Sequence, residues 1–334
     1  MYINGFGFYV PEKTLDNNEL STMVDTTDEW IVSRTGIKAR HLAAKGQTCS
    51  DMVVEAARAA LEASGVSSCL VSHIIVCTVS GDAAFPSTAC FAQEKLGIPR
   101  AMAFDLGAAC SGFLYGLRVA QGILAVEPES VVLLVGAEAL SHLVNWQDRA
   151  TCVLFGDGAG AVVLSNTAAD AVADKPLSAN AAVEGVLCEG NGKGSELLYC
   201  IGGGGLSAYG PGDIVGTDFF IHMNGQEIFK HAVRCMSSSA LRLMEKLGCP
   251  VDEIDLVVPH QANLRIIKGV LDRLGAPESK AFLNLDKYGN TSAASIPMAL
   301  AEAAAQGVIR AGDRVLLTTF GAGLTWGAAV VKFC

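Results

Sequence analysis

The chain repeats one pattern of segments twice, and this internal repeat restricts the fold more than any other feature of the sequence. The first copy ends with Phe155-Gly-Asp-Gly-Ala-Gly-Ala-Val-Val-Leu164, and the second ends with Phe320-Gly-Ala-Gly-Leu-Thr-Trp-Gly-Ala-Ala-Val-Val331. Both stretches open with Phe-Gly-x-Gly and continue into a run of small and apolar residues. We therefore expect two halves that are related by pseudo-symmetry.

Strand-like and helix-like segments alternate along the whole chain, which is typical of an α/β fold with buried strands. Residues 71–79 and 131–135 have the apolar pattern of buried strands, whereas residues 50–64 and 111–125 are rich in alanine and are predicted to be helices. The fold class expected from the sequence is therefore α/β.

The two halves are expected to span residues 1–165 and 219–334. The segment between them, residues 166–218, is rich in glycine and irregular, and it is predicted to be a linker and a loop of a substrate pocket.

Composition excludes several classes of protein. With 51% hydrophobic and 17% charged residues, the chain is expected to bury a large core. No apolar run reaches the roughly 20 residues of a membrane span, and the first residues lack a basic targeting region, so we expect a cytoplasmic protein without a membrane partner. A net charge of −10 argues against a nucleic-acid partner.

Cysteine and histidine usage argues against metals and disulfides. The 11 cysteines lie singly, without a Cys-x-x-Cys pair, and the 6 histidines show no spacing typical of metal ligands. We therefore expect no metal, no disulfide framework and a reducing compartment. The run Gly156-x-Gly-x-Gly160 precedes a strand instead of a helix, which argues against a nicotinamide cofactor.

Cys110 lies where a chain would place a nucleophile. It follows the strand-like run 101–106 and the small residues 107–109, and it opens a helix-like run. A helix N-terminus favours the thiolate, so we expect Cys110 to be partly ionised near neutral pH. The alternative is a buried cysteine that acts as a small hydrophobic residue.

The second half supplies two partners for this thiol. The strand-like run 254–259 ends at His260, at the carboxyl end where open α/β sheets bind ligands. Asn290 follows a strand and a turn, as Cys110 does, so pseudo-symmetry predicts that the two residues face each other at related helix starts. Asn290 has the alternative role of a helix N-cap.

These three side chains together suit acyl chemistry. A thiolate accepts an acyl group from a thioester, and an imidazole and a carboxamide donate hydrogen bonds to an enolate or oxyanion. Backbone amides of Cys110 and of the turn 321–323 could hold the oxygen of a tetrahedral intermediate.

The chain resembles the β-ketoacyl-acyl-carrier-protein synthase III family of the thiolase-like superfamily, and the resemblance runs nearly from end to end. The stretches that carry it are Asp28-Glu-Trp-Ile-Val-Ser-Arg-Thr-Gly-Ile37, Ala108-Ala-Cys-Ser-Gly-Phe113, His260-Gln-Ala-Asn-Leu-Arg265, Tyr288-Gly-Asn-Thr-Ser-Ala-Ala-Ser-Ile-Pro297 and Gly321-Ala-Gly-Leu-Thr-Trp-Gly327. The resemblance implies a thiolase-like, five-layered αβαβα sandwich of two pseudo-symmetric halves.

It also implies an activity. An acyl-CoA primer, acetyl-CoA or a similar short acyl group, would acylate Cys110. His260 and Asn290 would then promote decarboxylation of malonyl-acyl-carrier-protein, and the enolate would attack the acyl-Cys110 to give a 3-oxoacyl product. The amides of Cys110 and Ala322 would form the oxyanion hole, where alanine is acceptable unless the backbone requires a positive φ. Coenzyme A would enter only as the thioester substrate, with no cofactor.

The remaining site residues are implied by the same resemblance. Trp30 and Arg149 would enclose the CoA adenine, and Arg34 would contact the nucleotide end. Phe85 would reach the pocket of a partner subunit in a homodimer, while Phe155 and Met223 would line the acyl pocket. The residues that would dock the acidic carrier protein are Gln261, Ala262, Asn263, Leu264, Arg265, Lys268 and Arg273.

Two alternatives stay open at this point. One is a related acyltransferase or condensing enzyme of secondary metabolism that uses a different acceptor. The other is a non-catalytic protein that binds acyl-CoA or a carrier protein on the same scaffold. For the basic cluster Arg265, Lys268 and Arg273, the alternative to a docking patch is an ordinary solvated helix face.

Overall fold

The computed structural model describes residues 1–168, 180–202, 204–206 and 216–334. Its strands are β1 (Tyr2–Tyr9), β2 (Lys13–Asp16), β3 (Ala39–Leu42), β4 (His73–Cys77), β5 (Met102–Leu106), β6 (Val132–Glu138), β7 (Gly158–Ser165), β8 (Ala181–Gly190), β9 (Leu198–Tyr199), β10 (His222–Met223), β11 (Leu256–Pro259), β12 (Arg314–Gly321) and β13 (Thr325–Phe333). Its α-helices are α1 (Asn17–Ser21), α2 (Asp28–Thr35), α3 (Cys49–Ser64), α4 (Thr88–Leu96), α5 (Gly112–Val126), α6 (Arg149–Cys152), α7 (Gly225–Leu247), α8 (Leu264–Leu274), α9 (Leu285–Tyr288) and α10 (Ser295–Ala305).

Nine of the described strands form one hydrogen-bonded sheet in the order β11-β12-β13-β8-β1-β7-β6-β4-β5. In the first half, β4 and β6 are parallel, β7 is antiparallel to β6, and β1 is antiparallel to β7. The second half repeats this with β11 and β12 parallel, β13 antiparallel to β12, and β8 antiparallel to β13. Strand order thus shows the pseudo-symmetry that the repeat predicts.

The two halves join where β1 meets β8. Tyr2 pairs with Ala182 and Ile3 pairs with Ala181, so that both half-sheets continue into one another. The counterpart of β5 in the second half is reduced to a single parallel bridge between Val257 and Ala281.

Three buried apolar clusters separate the layers. The first lies between α3 and α4 and one face of the first half-sheet, and the third lies between α7 and α8 and the second half-sheet. The central cluster contains side chains of α5 and α10 together with strands from both halves. Three apolar cores between helices and strands give the five-layered αβαβα arrangement.

Small residues allow the central helix to lie close to the sheet. A Cβ added at Gly116 of α5 would lie 2.5 Å from Leu134 Cδ1 and 2.7 Å from Cys77 Sγ. A larger residue would displace these side chains, so glycine lets the helix whose start carries Cys110 pack closely against the sheet.

The segment 166–218 differs from the expected linker. It contains β8, ten residues that pair with both β13 and β1, so the second half begins with this strand and not at residue 219. Its small and apolar residues form a strand because both sheet neighbours offer it backbone partners. Residues 169–179, 203 and 207–215 of the expected linker lie outside the described residues.

One helical stretch, Ala109–Val126, has the length and apolar composition of a membrane span, and half of it is buried inside the molecule. It includes α5, whose residues Phe113, Leu114 and Leu117 belong to the central core. A core helix buried between two half-sheets has this composition for packing reasons.

Candidate active site

A cavity of about 1130 Å³ opens between the two halves, and Cys110, His260 and Asn290 all line it. Cys110 comes from the first half, whereas His260 follows β11 and Asn290 precedes α10 in the second half. The three residues that the sequence singles out for chemistry are therefore brought to one cavity by the symmetric arrangement of the halves.

Cys110 lies in a single 3₁₀ turn, Ala109–Ser111, that leads into α5. The second half holds this turn in place, because Thr319 Oγ1 donates a hydrogen bond of 2.8 Å to the Cys110 carbonyl oxygen. A Cβ added at Gly321 would lie 2.9 Å from the Cys110 nitrogen, so the end of β12 approaches the nucleophile turn as closely as glycine permits.

The expectation that Cys110 is partly thiolate is wrong for the free protein. Burial raises the pKa of the Cys110 thiol to about 12, and the nearby Glu138 carboxylate raises it further. Hydrogen bonding from Ser292 and from the Cys110 backbone favours the thiolate but is the weaker effect. Cys110 does lie at a helix start, which favours the thiolate. Removal of water from around the sulfur has the larger effect on its pKa and favours the neutral thiol.

His260 is buried, with 3% of its surface exposed, at the carboxyl end of β11. Its Nδ1 lies 2.6 Å from Ser295 Oγ at the start of α10. Burial lowers the pKa of the imidazole to about 3, so the ring is neutral at physiological pH. If Ser295 donates to Nδ1, the single ring proton is on Nε2 and the ring is a hydrogen-bond donor there.

Asn290 is held by both backbone and side chain. Its nitrogen donates to the Leu154 carbonyl (2.8 Å), and its carbonyl accepts from the Gly156 nitrogen (3.0 Å), so the end of the first half directly positions it. Its Oδ1 accepts a hydrogen bond of 2.9 Å from the Ser292 nitrogen. That bond occupies the acceptor end of the carboxamide and leaves Nδ2 as the donor end.

The symmetry-related partner of Cys110 is Ala293 and not Asn290. Ala109 and Ser292 have positive φ values of 44° and 48°, and each begins a 3₁₀ turn before a central helix. Aligning these two turns puts Cys110 opposite Ala293. Asn290 lies two residues before the turn, which corrects the expectation of equivalent positions, although both residues reach the same cavity.

Ala322 lies in the turn between β12 and β13, and its φ is not among the positive values of the described residues. Alanine therefore meets the backbone requirement of this position without strain. Thr325 Oγ1 donates to the Ala322 carbonyl (2.9 Å) and lies 3.3 Å from the Ala108 carbonyl, which ties this turn to the nucleophile turn.

Trp30 and two arginines form the mouth of the cavity. The guanidinium of Arg34 lies 4.7 Å from the centre of the Trp30 ring, and that of Arg149 lies 4.8 Å from it. Both arginines are exposed, and Arg149 Nη1 also donates to the Asp25 carbonyl (2.9 Å). The three residues expected to bind the nucleotide end of CoA thus come together, although Arg149 is not part of the cavity lining.

Gln261 is a correction to the expected carrier-docking set. It is 1% exposed, and its Nε2 donates to the carbonyls of Pro259 (2.8 Å) and Phe282 (3.1 Å). Its Oε1 accepts from the Asn284 nitrogen (3.1 Å). The donors and the acceptor of this side chain are used inside the protein, so it holds the end of β11 to the loop at 282–284 and does not reach a partner.

The rest of that set is at least partly exposed. Arg265 and Arg273 are exposed, and Lys268 forms an ion pair of 3.0 Å with Glu278. Asn263 caps α8 and donates to the Arg34 carbonyl (3.1 Å), which links this helix to the cavity mouth. Ala262 and Leu264 are partly buried beside it.

The three expected acyl-pocket residues separate into two groups. Phe155 and Met223 line the cavity. Phe85 does not, and its side chain is 85% exposed.

Sequence reasoning missed several residues of the site. Ser295 and Thr319 hold His260 and Cys110, while Phe229 and Lys230 of α7 line the cavity. Ser295 belongs to a quoted motif and could have been noticed there. The residues of α7 have no local signal, because only the packing of that helix brings them to the cavity.

Among the described residues, no group of three or more His, Cys, Asp or Glu side chains is arranged to hold a metal ion. All 11 cysteines are free.

Two family models match the chain. Residues 104–181 match the model of 3-oxoacyl-[acyl-carrier-protein] synthase III, and residues 244–333 match the model of its C-terminal part. A curated β-ketoacyl-[acyl-carrier-protein] synthase III from Nitratidesulfovibrio vulgaris is 53% identical over 331 residues, which covers 99% of this chain and 98% of the relative. The enzyme of the same name from a Roseiflexus species is 46% identical over 331 residues, covering 99% of this chain and 98% of the relative.

Solved structures agree with these matches. The 3-oxoacyl-[acyl-carrier-protein] synthase III of Aquifex aeolicus is 41% identical with a TM-score of 0.88, and the alignment covers 99% of each chain. A priming β-ketosynthase of the R1128 polyketide pathway is 32% identical with a TM-score of 0.87, covering 99% of this chain and 95% of that one. By full-length identity and by fold, the chain belongs to the β-ketoacyl-[acyl-carrier-protein] synthase III family of acyltransferases.

Proposed function

We propose that this protein catalyses the decarboxylating condensation of an acyl-CoA primer with malonyl-acyl-carrier-protein, the initiating step of fatty-acid synthesis. The observation that carries the proposal is the convergence of Cys110, His260 and Asn290 on one cavity in a chain that is 53% identical to a β-ketoacyl-[acyl-carrier-protein] synthase III. CoA enters as the thioester substrate, and we propose no metal or cofactor.

In the first step, Cys110 Sγ bonds to the carbonyl carbon of the primer and the bond to the CoA sulfur breaks. The backbone amides of Cys110 and Ala322 are suited to stabilise the oxyanion, because β12 approaches the Cys110 nitrogen so closely at Gly321.

In the second step, His260 and Asn290 act as hydrogen-bond donors. Neutral His260 with its proton on Nε2, and the Nδ2 of Asn290, would bond to the thioester oxygen of the malonyl group. Loss of CO₂ from that group leaves an enolate, and these two donors stabilise its oxygen. The enolate carbon then attacks the acyl-Cys110 carbonyl, and Cys110 leaves as the 3-oxoacyl product forms.

The mouth of the cavity is suited to the CoA nucleotide. Trp30 offers an aromatic face, and Arg34 and Arg149 lie within 5 Å of it with exposed guanidinium groups, so that an adenine ring and phosphates find stacking and charge partners. The exposed Arg265 and Arg273 and the partly exposed Lys268 of α8 are cations suited to an acidic carrier protein.

A homodimer explains the position of Phe85. Its exposed ring lies on the loop after β4, and Met102 of the neighbouring edge strand β5 is 59% exposed. An unpaired edge strand beside exposed apolar side chains is suited to a second copy of the chain. Phe85 would then enter the partner's acyl pocket and favour short primers such as an acetyl group.

For the compartment, we propose the cytoplasm, where thiols stay reduced. The support is that all 11 cysteines are free.

Incubation with a panel of acyl-CoA primers followed by intact-mass spectrometry tests the nucleophile and the primer. We expect one acyl group on the wild type, with short chains preferred, and none on Cys110→Ala. Addition of malonyl-acyl-carrier-protein is expected to release CO₂ and a 3-oxoacyl product. Absence of any adduct on the folded wild type would contradict the role of Cys110 and favour a binding protein.

The similarity to the R1128 priming ketosynthase supports one alternative, a condensing enzyme of secondary metabolism. Such an enzyme would use a different acceptor, so turnover with malonyl-acyl carrier protein of fatty-acid synthesis distinguishes this alternative from our proposal. If the malonyl group turned over only on a different carrier, the alternative would replace our proposal.

A further inference from the structure

A buried cation that the proposed condensation does not use lies inside the first half. Arg40, the second residue of β3, is 0% exposed. Its Nη1 donates to the Leu15 carbonyl (3.1 Å) and to Asn17 Oδ1 (2.9 Å), and its Nη2 donates to the Val153 carbonyl (2.9 Å). Burial lowers the pKa of the guanidinium to about 10, so the group is still charged at neutral pH.

The three acceptors of Arg40 are two backbone carbonyls and a carboxamide oxygen, none of which carries a charge. Removal of a cation from water is unfavourable, and uncharged acceptors offset this only in part. What a guanidinium offers in return is geometry, because its planar fork of donors joins segments of chain that lie on different sides of it. The contacts of Arg40 therefore indicate which segments it holds together.

One contact leads to the mouth of the cavity. Asn17, whose Oδ1 accepts from Arg40, donates through Nδ2 to Asp28 Oδ1 (2.8 Å). Asp28 is the first residue of α2, the helix that carries Trp30 and Arg34. Asn17 is itself 2% exposed, so this chain of hydrogen bonds is protected from water. Arg40 thus helps to hold the start of the helix that supplies the aromatic face of the mouth.

Another contact leads to Asn290, a proposed donor in the decarboxylation step. Val153, whose carbonyl accepts from Arg40 Nη2, directly precedes Leu154, whose carbonyl accepts from the Asn290 nitrogen (2.8 Å). Two residues after Leu154, the Gly156 nitrogen donates to the Asn290 carbonyl (3.0 Å). The guanidinium therefore anchors the segment to which the backbone of Asn290 is paired.

The aliphatic part of Arg40 packs against the same pairing. A Cβ added at Gly156 would lie 3.1 Å from Arg40 Cβ, and one added at Gly289 would lie 3.3 Å from it. Gly289 directly precedes Asn290, so the chain on both sides of this pairing lies against the arginine. A shift of the Arg40 side chain would therefore reach the backbone of Asn290 both through a hydrogen bond and through packing.

We propose that Arg40 is a positioning residue for decarboxylation, which fixes the Asn290 carboxamide relative to the mouth of the cavity. This inference rests on the role of Asn290 proposed above. Arg40 touches no substrate and acts through Asn17 on α2 and through Val153 on the backbone of Asn290. A thioester that enters through the mouth must place its oxygen at Asn290 Nδ2, so the distance between these two places decides how well the donor is used.

Arg40→Lys tests this role, because lysine keeps the charge and loses the fork that joins the three acceptors. The measured rates are CO₂ release from malonyl-acyl-carrier-protein and single-turnover acylation by an acyl-CoA primer, each divided by the fraction of protein that becomes acylated. We expect CO₂ release to fall about 30-fold and the maximal rate of acylation to stay within about threefold, since a small displacement of the donor affects only the step that uses it.

Asn290→Ala supplies a readout that a merely structural role would not change. If Arg40 acts through Asn290, the loss of CO₂ release caused by Arg40→Lys should shrink from about 30-fold to about threefold or less once Asn290 is alanine. Losses that multiply fully in the double variant would overturn the proposal, because Arg40 would then act independently of the carboxamide.

Asn17→Ala is a second variant, which keeps the bonds of Arg40 to Leu15 and Val153 and removes its link to α2. We expect it to raise the primer concentration for half-maximal acylation about fivefold, because the mouth is no longer held in place. An unchanged concentration in the folded variant would overturn the link to the mouth. This test remains decisive if Arg40→Lys does not fold.

Asn4→Ala is the matched control for a loss of stability. Asn4 is 3% exposed, its Nδ2 donates to Ser165 Oγ (2.8 Å), and neither residue lines the cavity. Its loss should lower the unfolding temperature and leave both rates per acylated protein within about twofold.

Equal losses of CO₂ release and of acylation per acylated protein in Arg40→Lys would overturn the proposal and assign Arg40 a structural role alone. If Asn290→Ala by itself left CO₂ release unchanged, the proposed function of Asn290 would fail instead. The two failures are therefore distinguishable.

Discussion

Burial decides the protonation of the side chains around the cavity. Cys110 and His260 are both removed from water, and each is held in its neutral form, the thiol by a raised pKa and the imidazole by a lowered one. Neutral His260 can donate a hydrogen bond, but it carries no positive charge that would pair with the carboxylate of a substrate. The site is thus arranged for stabilisation of a developing oxyanion by dipoles and not by a fixed positive charge.

Asn290→Asp isolates the donor end of the carboxamide. The new Oδ1 still accepts from the Ser292 nitrogen, whereas the donor Nδ2 is replaced by an oxygen that carries charge. We expect CO₂ release from malonyl-carrier protein to fall by about 100- to 1000-fold, the usual cost of one oxyanion donor. Acylation by the primer, followed as mass gain, should change much less. Equal losses in both steps would contradict the division of roles.

His260 makes the stability of the protein depend on pH. Its folded pKa lies near 3, below the unfolded value of about 6.5, so its contribution is complete above pH 6.5 and is lost as pH falls toward 3. In this window the free energy of unfolding should decrease by about 1.4 kcal/mol per pH unit from this residue. Urea unfolding of the wild type and of His260→Asn at pH 7 and at pH 5 measures this change in the free energy of unfolding. The variant should lose less stability over this interval, and parallel curves would contradict the assignment.

At the scale of elements, the turn between β11 and α8 combines two roles that the sequence motif does not separate. Gln261 ties this turn to the end of β11 at Pro259 and to the loop at 282–284, whereas Arg265, four residues later, is exposed on the helix. The same short run therefore contains one residue for stability and one suited to a partner.

Substitution separates these roles. Gln261→Ala leaves buried carbonyls and an amide without partners, and we expect unfolding to become easier by about 1–3 kcal/mol, with an unchanged KM for the carrier substrate. Arg265→Glu should leave the unfolding temperature unchanged and raise that KM about tenfold at low salt, with a smaller effect at high salt. Denaturation curves and steady-state kinetics at two ionic strengths check both. A KM effect of Gln261→Ala without a loss of stability would restore it to the docking surface.

For the whole molecule, β5 is the exposed edge of the nine-stranded sheet. Met102 and Phe85 leave apolar surface there that the single chain does not cover. Met102→Lys puts a charge on this edge, and we expect it to shift the protein from dimer to monomer.

Light scattering after size-exclusion chromatography measures the mass. Leu241→Lys is the matched control, since Leu241 is 42% exposed on α7 in the outer layer of the other half, and it should stay dimeric. A wild type that elutes as a monomer at micromolar concentration would refute the dimer. A dimeric Met102→Lys would assign the interface to another surface.

Local sequence was sufficient for much of the molecule. The helix predicted at 50–64 is part of α3, the strand predicted at 131–135 overlaps β6, and His260 directly follows β11 as expected. These features depend on apolar periodicity, alanine content and turn residues, which act between near neighbours. The motifs around Cys110, His260 and Asn290 identified the family and the chemistry for the same reason, because each motif is contiguous.

Tertiary structure decided what depends on distant contacts. The pKa of Cys110 is set by burial between two half-sheets and not by its helix start. The burial of Gln261 follows from its contacts with a loop 21 to 23 residues away. Glu138 ends an ordinary apolar strand in the sequence, and only the packing of β6 against the turn of Ser292 brings it near the nucleophile. The solvation of a side chain and its contacts with distant residues leave no local pattern in the sequence, so only the folded chain defines them.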